Sequence, residues 1–135
     1  MTNLSPSHRY RRLARWSCLV LWACAAVASH LPPQRLPRLG TGLATALHGV
    51  GYFVLSSALW LTLRLHAQSR NRRLALLLAV PAYAVMEELT QPLLGRCTST
   101  ADWLADVLGT VAAVAVLEVL NGILARRLSR DDGRV

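Results

Sequence analysis

The chain contains no lysine, and all fifteen of its basic residues are arginine. Charge of either sign is scarce: charged residues are 16% of the 135, well below the quarter usual in soluble domains, whereas 53% are hydrophobic. Only seven residues are acidic, so the net charge is +8. The basic excess does not indicate nucleic acid, because basic and aromatic residues are not interleaved as they are in single-strand binders. Cysteine is limited to Cys18, Cys24 and Cys97, an odd number without CxxC or Cys/His spacing. That argues against a disulfide framework or a zinc-finger-type site. No GxSxG or HExxH motif is present, and no repeat or low-complexity segment.

What the chain has instead is long apolar runs separated by short polar ones. Residues 1–12 are polar and basic. Apolar runs follow at about 13–31, 41–65, 74–94 and 100–125, then a charged tail at 126–135. At about 1.5 Å per residue, each run reaches across a hydrocarbon core of ~30 Å or nearly so. Pro32, Pro33 and Pro37 end the first run, and Pro81 should kink the third, its freed carbonyl covered by hydroxyls or packed neighbours. Four spans place twelve Arg on one side (Arg9, Arg11, Arg12, Arg15; Arg64, Arg70, Arg72, Arg73; Arg126, Arg127, Arg130, Arg134) and three on the other, Arg35, Arg38 and Arg96. The positive-inside rule then puts both termini in the cytoplasm. The expected fold class is an all-α, polytopic membrane bundle of four transmembrane helices, in a bacterial-type plasma membrane. Residues 1–28, with Ala26-Val27-Ala28, also fit a cleavable signal peptide, a rival to the first span.

Four of the seven acids fall in residues 86–109. Helical rise places His48 about 10 Å, and Glu88 and Asp106 each about 9 Å, from the outer ends of their runs. Three helices therefore carry a polar group at one level. Facing lipid, each charge would cost roughly 2.5–3.5 kcal/mol. Facing each other, they can share protons and hydrogen bonds. A polar pocket shared by His48, Tyr52, Glu88, Gln91 and Asp106 is expected, roofed by residues 95–101 and 32–40. Glu88 is preferred to Glu87 for its spacing to Gln91, with Glu87 facing the loop or another helix. Ser99-Thr-Ala-Asp102 has the form of a capping box. Arg96 either pairs with Glu88 or Asp102, sits at the headgroups, or clamps an anion such as phosphate. Glu118 should pair with an Arg of the inner loop or tail, and the four Trp read mostly as interface anchors.

His48-Gly-Val-Gly-Tyr52, with Glu88-x-x-Gln91, Gly95-Arg96, Ser99, Asp102, Asp106 and Gly109, resembles the signature of the VanZ-like family of small membrane proteins. The resemblance covers the second to fourth runs and implies a four-helix domain of unsettled activity in the cell envelope, with a possible role in glycopeptide susceptibility. The chain departs from the pattern at Ala44 and Thr45, where the family often has an Asp-Lys pair, and at Asp106, where asparagine is usual. Three functions compete. The first is binding of an envelope lipid or lipid-linked precursor through Tyr52, Gln91, Arg96, Asp102 and Asp106. The second is an enzyme acting on a lipid-linked substrate, with His48 and Glu88 as catalytic acid and base. The third is a proton-coupled carrier, which would have to oligomerise. Membrane lipids are the expected partners, and an oligomer is compatible with any of the three. His48, Glu88 and Asp106 are acceptable metal ligands by type, but nothing in the sequence sets their distances, and no metal or cofactor is expected.

Overall fold

Leu, Ala and Arg are good helix formers, and no proline interrupts the second and fourth apolar runs. In a computed structural model, which describes residues 8–35, 40–66 and 71–132, the described residues form four α-helices and two short 3-10 turns, with no strand. The helices are α1 (His8–Ser29), α2 (Thr41–His66), α3 (Arg72–Thr90) and α4 (Thr100–Asp132).

Helix ends differ from the sequence expectation for identifiable reasons. Helix α1 begins at His8, inside the polar segment, since nothing in its Arg-rich first turns breaks a helix. It closes at Ser29, where Ser29 Oγ donates to the Ala26 carbonyl and His30 Nδ1 lies 2.8 Å from the same oxygen. The third run is not helical to residue 94 in one form. Its α-helix stops at Thr90 and a 3-10 turn, Gln91–Leu94, follows. Pro92 has no N–H to continue the ladder, and Gly95 then takes a left-handed φ of 75° that reverses the chain. Pro81 lies inside α3, which stays α-helical on both sides of it. Helix α4 continues through the tail to Asp132, the last described residue, because residues 123–132 contain no glycine or proline to break it.

Side-chain contacts define the topology. Thr45 meets Asp102 and Trp60 meets Glu118, so α2 and α4 run parallel. Glu88 reaches the start of α4 and Arg73 reaches Glu118, so α3 is antiparallel to α4. Thr62 donates to the Ala14 carbonyl, so α1 is antiparallel to α2. One end of the bundle thus gathers the end of α1, the end of α3 and the starts of α2 and α4. The broadest contact is between α2 and α4. There the backbones touch: a Cβ on Gly109 would stand 2.1 Å from the Gly49 carbonyl oxygen.

The interior is partly polar and the exterior apolar. Tyr52, Trp60, Leu76, Val80, Ala84 and Val114 form the buried cluster. Among them lie Ser56 and Thr110, fully buried and bonded to each other, and the buried Glu87, Glu88, Gln91 and Asp106. Leu and Val side chains such as Val50, Leu78, Leu89 and Leu108 face outwards. A soluble surface does not carry apolar area on that scale. Three helical stretches, Thr41–His66, Arg73–Leu94 and Thr100–Arg130, are long and apolar enough to cross a membrane. Helix α1 falls short. Arg9, Arg11, Arg12 and Arg15 crowd its first turns, leaving an apolar stretch at residues 16–29 that spans about 21 Å.

The helix contact makes a direct prediction. Gly109→Ala forces α2 and α4 apart and should destabilise the protein by about 1–3 kcal/mol. Gly51→Ala, with open space around it, should be neutral within about 0.5 kcal/mol. Thermal unfolding in detergent, measured on both variants, checks this; equal melting temperatures would disprove the contact.

Candidate functional site

The α2–α4 seam sets the site. Successive polar residues on the facing stripes pair: Thr45 Oγ1 donates to Asp102 Oδ1, His48 Nδ1 lies 3.1 Å from Asp106 Oδ1, and Ser56 donates to Thr110. His48 follows Thr45 by three residues and Ser56 follows His48 by eight, close to one and two helical turns, which keeps all three on one helix face. Helix α3 closes the other side. Its buried stripe of Leu76, Val80 and Ala84 continues upwards into Glu87 and Gln91.

Both glutamates of α3 are buried, with different partners. Glu87 Oε2 accepts the Tyr52 hydroxyl at 2.8 Å. Glu88 Oε2 accepts the backbone N–H of Ser99, also at 2.8 Å. Tyr52 therefore pairs with Glu87 rather than Glu88. Spacing to Gln91 fits both glutamates, Glu88 three residues before it and Glu87 four, and continuing the buried apolar stripe of α3 leads to Glu87, the residue that the sequence reading set aside. Glu88 remains in the cluster with His48 and Asp106, and one ligating atom from each of the three lies within 4.8 Å of the others.

Ser99 caps α4, its Oγ accepting the Asp102 N–H at 3.2 Å. The reciprocal half of the capping box comes from another helix. Glu88 takes the Ser99 N–H, which leaves the Asp102 carboxylate for Thr45. Thr45 thus has a role that the sequence reading did not give it. His30 was also missed: its Nε2 is 2.9 Å from Thr90 Oγ1 and ties the end of α1 to the end of α3.

Arg96 meets neither of its expected acidic partners. One of its guanidinium nitrogens donates to the Ser29 carbonyl at 2.6 Å, and it forms no ion pair with a carboxylate among the described residues. Its side chain lines a cavity of about 480 Å³ between α1 and α2, open at one side. Small residues make room for it, Ala25 and Ala28 from α1 with Ala44 and Gly51 from α2, while Leu47 and Leu55 supply apolar wall. His48, Tyr52, Glu87, Ser29 and Arg96 supply the polar groups. Gln91, Asp102 and Asp106, expected to bind ligand, are not in that wall. Glu88 borders a separate hollow of about 220 Å³ with Ser99 and Trp103. The single pocket expected from depth is therefore two spaces with the His48–Glu88–Asp106 cluster between them. Of the expected roof, residues 36–39 lie outside the described residues, as do Arg38, Arg70 and Arg134 of the arginine count.

At the opposite end, Glu118 pairs with Arg73 at 2.8 Å and accepts Trp60 Nε1–H at 3.0 Å. Trp60 is thus buried in the core rather than anchored at an interface, with the Arg64 guanidinium 5.2 Å from its ring centroid. Trp22 packs edge-on against Tyr83. The chain matches no family model, no curated protein and no solved structure.

The Tyr52–Glu87 bond should be measurable. In a double-mutant cycle of Tyr52→Phe and Glu87→Gln, read by reversible unfolding in detergent, the coupling should fall at about 0.6–1.7 kcal/mol, the range for interhelical bonds in membrane proteins. A coupling of zero would break the assignment.

Proposed function

We propose that this chain is a VanZ-like integral membrane protein of a bacterial-type plasma membrane. It crosses the membrane four times, with both termini in the cytoplasm, and binds an anionic envelope lipid or lipid-linked precursor in the cavity between α1 and α2. The observation that carries this reading is Arg96. Its guanidinium lines the cavity, is anchored on one side by the Ser29 carbonyl, and has no carboxylate partner among the described residues. A guanidinium with free donors is suited to phosphate or carboxylate. The rest of the wall is largely apolar, as acyl or prenyl chains require. Glu87 in the same wall is held by Tyr52, which keeps its carboxylate turned to a hydroxyl donor.

The topology draws support from the same arrangement. Arg9, Arg11, Arg12, Arg15, Arg64, Arg73, Arg126, Arg127 and Arg130 belong to the end of the bundle away from the cavity, and Arg35 and Arg96 to the cavity end. That is the asymmetry of a protein with its arginine-rich end inside. Helix α1 completes a fourth span when Arg12 and Arg15 extend to the inner interface. A role in the cell envelope, including glycopeptide susceptibility, follows from the VanZ-like resemblance.

An enzymatic reading is favoured by one observation: His48 faces the cavity and has an acid, Asp106, on its ring nitrogen. His48 would then act as base on a cavity-bound substrate with Asp106 orienting it, a different pair from His48 and Glu88. His48→Gln should abolish turnover and spare lipid binding.

Two measurements test the proposal. Cys97 is exposed at the cavity end, so a membrane-impermeant maleimide should label it from outside intact cells; labelling only after lysis would reverse the topology. Native mass spectrometry of gently purified protein should show a bound anionic lipid. Arg96→Ala should reduce it at least fivefold and Arg96→Lys less. Equal lipid in all three would defeat the binding reading.

A further inference from the structure

The geometry points to a divalent metal site of the zinc class at His48, Glu88 and Asp106. It stands whether or not the cavity holds a lipid. One nitrogen and two carboxylate oxygens, from α2, α3 and α4 respectively, lie within 4.8 Å of one another. On a single tetrahedral ion, with bonds of about 2.0–2.1 Å, ligand atoms sit about 3.3 Å apart. His48 and Asp106 already meet at 3.1 Å. With all three atoms within 4.8 Å of one another, at most about 1.5 Å remains to close, within reach of a glutamate side-chain rotation. One imidazole with two carboxylates suits zinc and its first-row neighbours, while calcium would need six to eight oxygens.

Charge favours the same conclusion. Glu88 and Asp106 are buried within an apolar bundle, and two unneutralised carboxylates so close together are costly there. His48 is the only basic side chain paired with either acid among the described residues. A doubly charged cation with a neutral imidazole and two carboxylates makes a neutral unit.

The surroundings also match those of a metal centre. Ligating carboxylates are normally held by an outer hydrogen bond, and Glu88 Oε2 has the Ser99 N–H, which leaves Oε1 for the ion. Gln91, three residues on from Glu88 and 2% exposed, has a buried amide nitrogen without a partner. Entry is open from two directions, since His48 borders the larger cavity and Glu88 the smaller. Three protein ligands leave a fourth position for water or a ligand oxygen. Binding would also clip three helices together at the level where α2 and α4 touch.

The test uses untagged full-length protein in detergent, stripped with EDTA and equilibrated separately with Zn²⁺ and Co²⁺. About one zinc per chain by elemental analysis is expected, with Co²⁺ giving the visible absorption of a four- or five-coordinate site. Zinc should raise the melting temperature of the wild type. Glu88→Gln and Asp106→Asn, near-isosteric changes, should lower metal affinity at least about tenfold, whereas Cys97→Ser should leave it intact. X-ray absorption on the zinc-loaded wild type should show oxygen and imidazole nitrogen without sulfur, a readout that does not depend on any variant folding. Less than a tenth of an equivalent of zinc, a sulfur shell, or unchanged affinity in the two carboxylate variants would overturn the site.

Discussion

The bundle depends on one backbone contact, Gly109 of α4 against the Gly49 carbonyl of α2. No side chain fits there, so the two helices come closer than any other residue at position 109 would permit. Dispersion and small-residue packing, rather than hydrophobic exclusion from water, hold helices together in hydrocarbon. The approach sets the register of everything on either side. Thr45 reaches Asp102 and His48 reaches Asp106 at one end, Ser56 reaches Thr110 in the middle, and Trp60 reaches Glu118 at the other. Small residues meet where the backbones touch, and polar groups pair across the seam on either side, the bulkiest pair being Trp60 with Glu118.

Helix α3 turns this seam into a site by contributing two adjacent glutamates with opposite assignments. Glu87 faces the α1–α2 cavity and is held by Tyr52, while Glu88 faces the start of α4 and caps it through Ser99. The polar groups therefore perform structural work and remain exposed to two spaces at once. Arg96 completes the arrangement from the turn after α3. Anchored on a carbonyl instead of a carboxylate, it keeps its charge available to the cavity.

Much of the architecture was legible from residue order. The four helices, their approximate limits and the concentration of polar groups in residues 86–109 followed from apolar run length and proline placement, which are local properties. Helix ends shifted where local chemistry was misjudged: Pro92 converts the end of the third run to a 3-10 turn, and α4 runs on through arginines that favour helix. Depth along each helix brought His48, Glu88 and Asp106 to one level, since rise per residue is constant. Depth says nothing of azimuth, and so it merged two spaces into one and left Glu87 outside.

By itself, the sequence determined how many helices form, that they are apolar outside, and which residues carry charge within them, because these depend on composition and periodicity along a single strand of chain. Only the tertiary structure decided which partner each polar group takes. Tyr52 goes to Glu87, Asp102 to Thr45, Arg96 to the Ser29 carbonyl, and the Ser99 amide to a glutamate from another helix. Those choices follow from how the helices rotate about their axes, and that rotation is set by the closest backbone contact, a property of two helices that neither encodes alone.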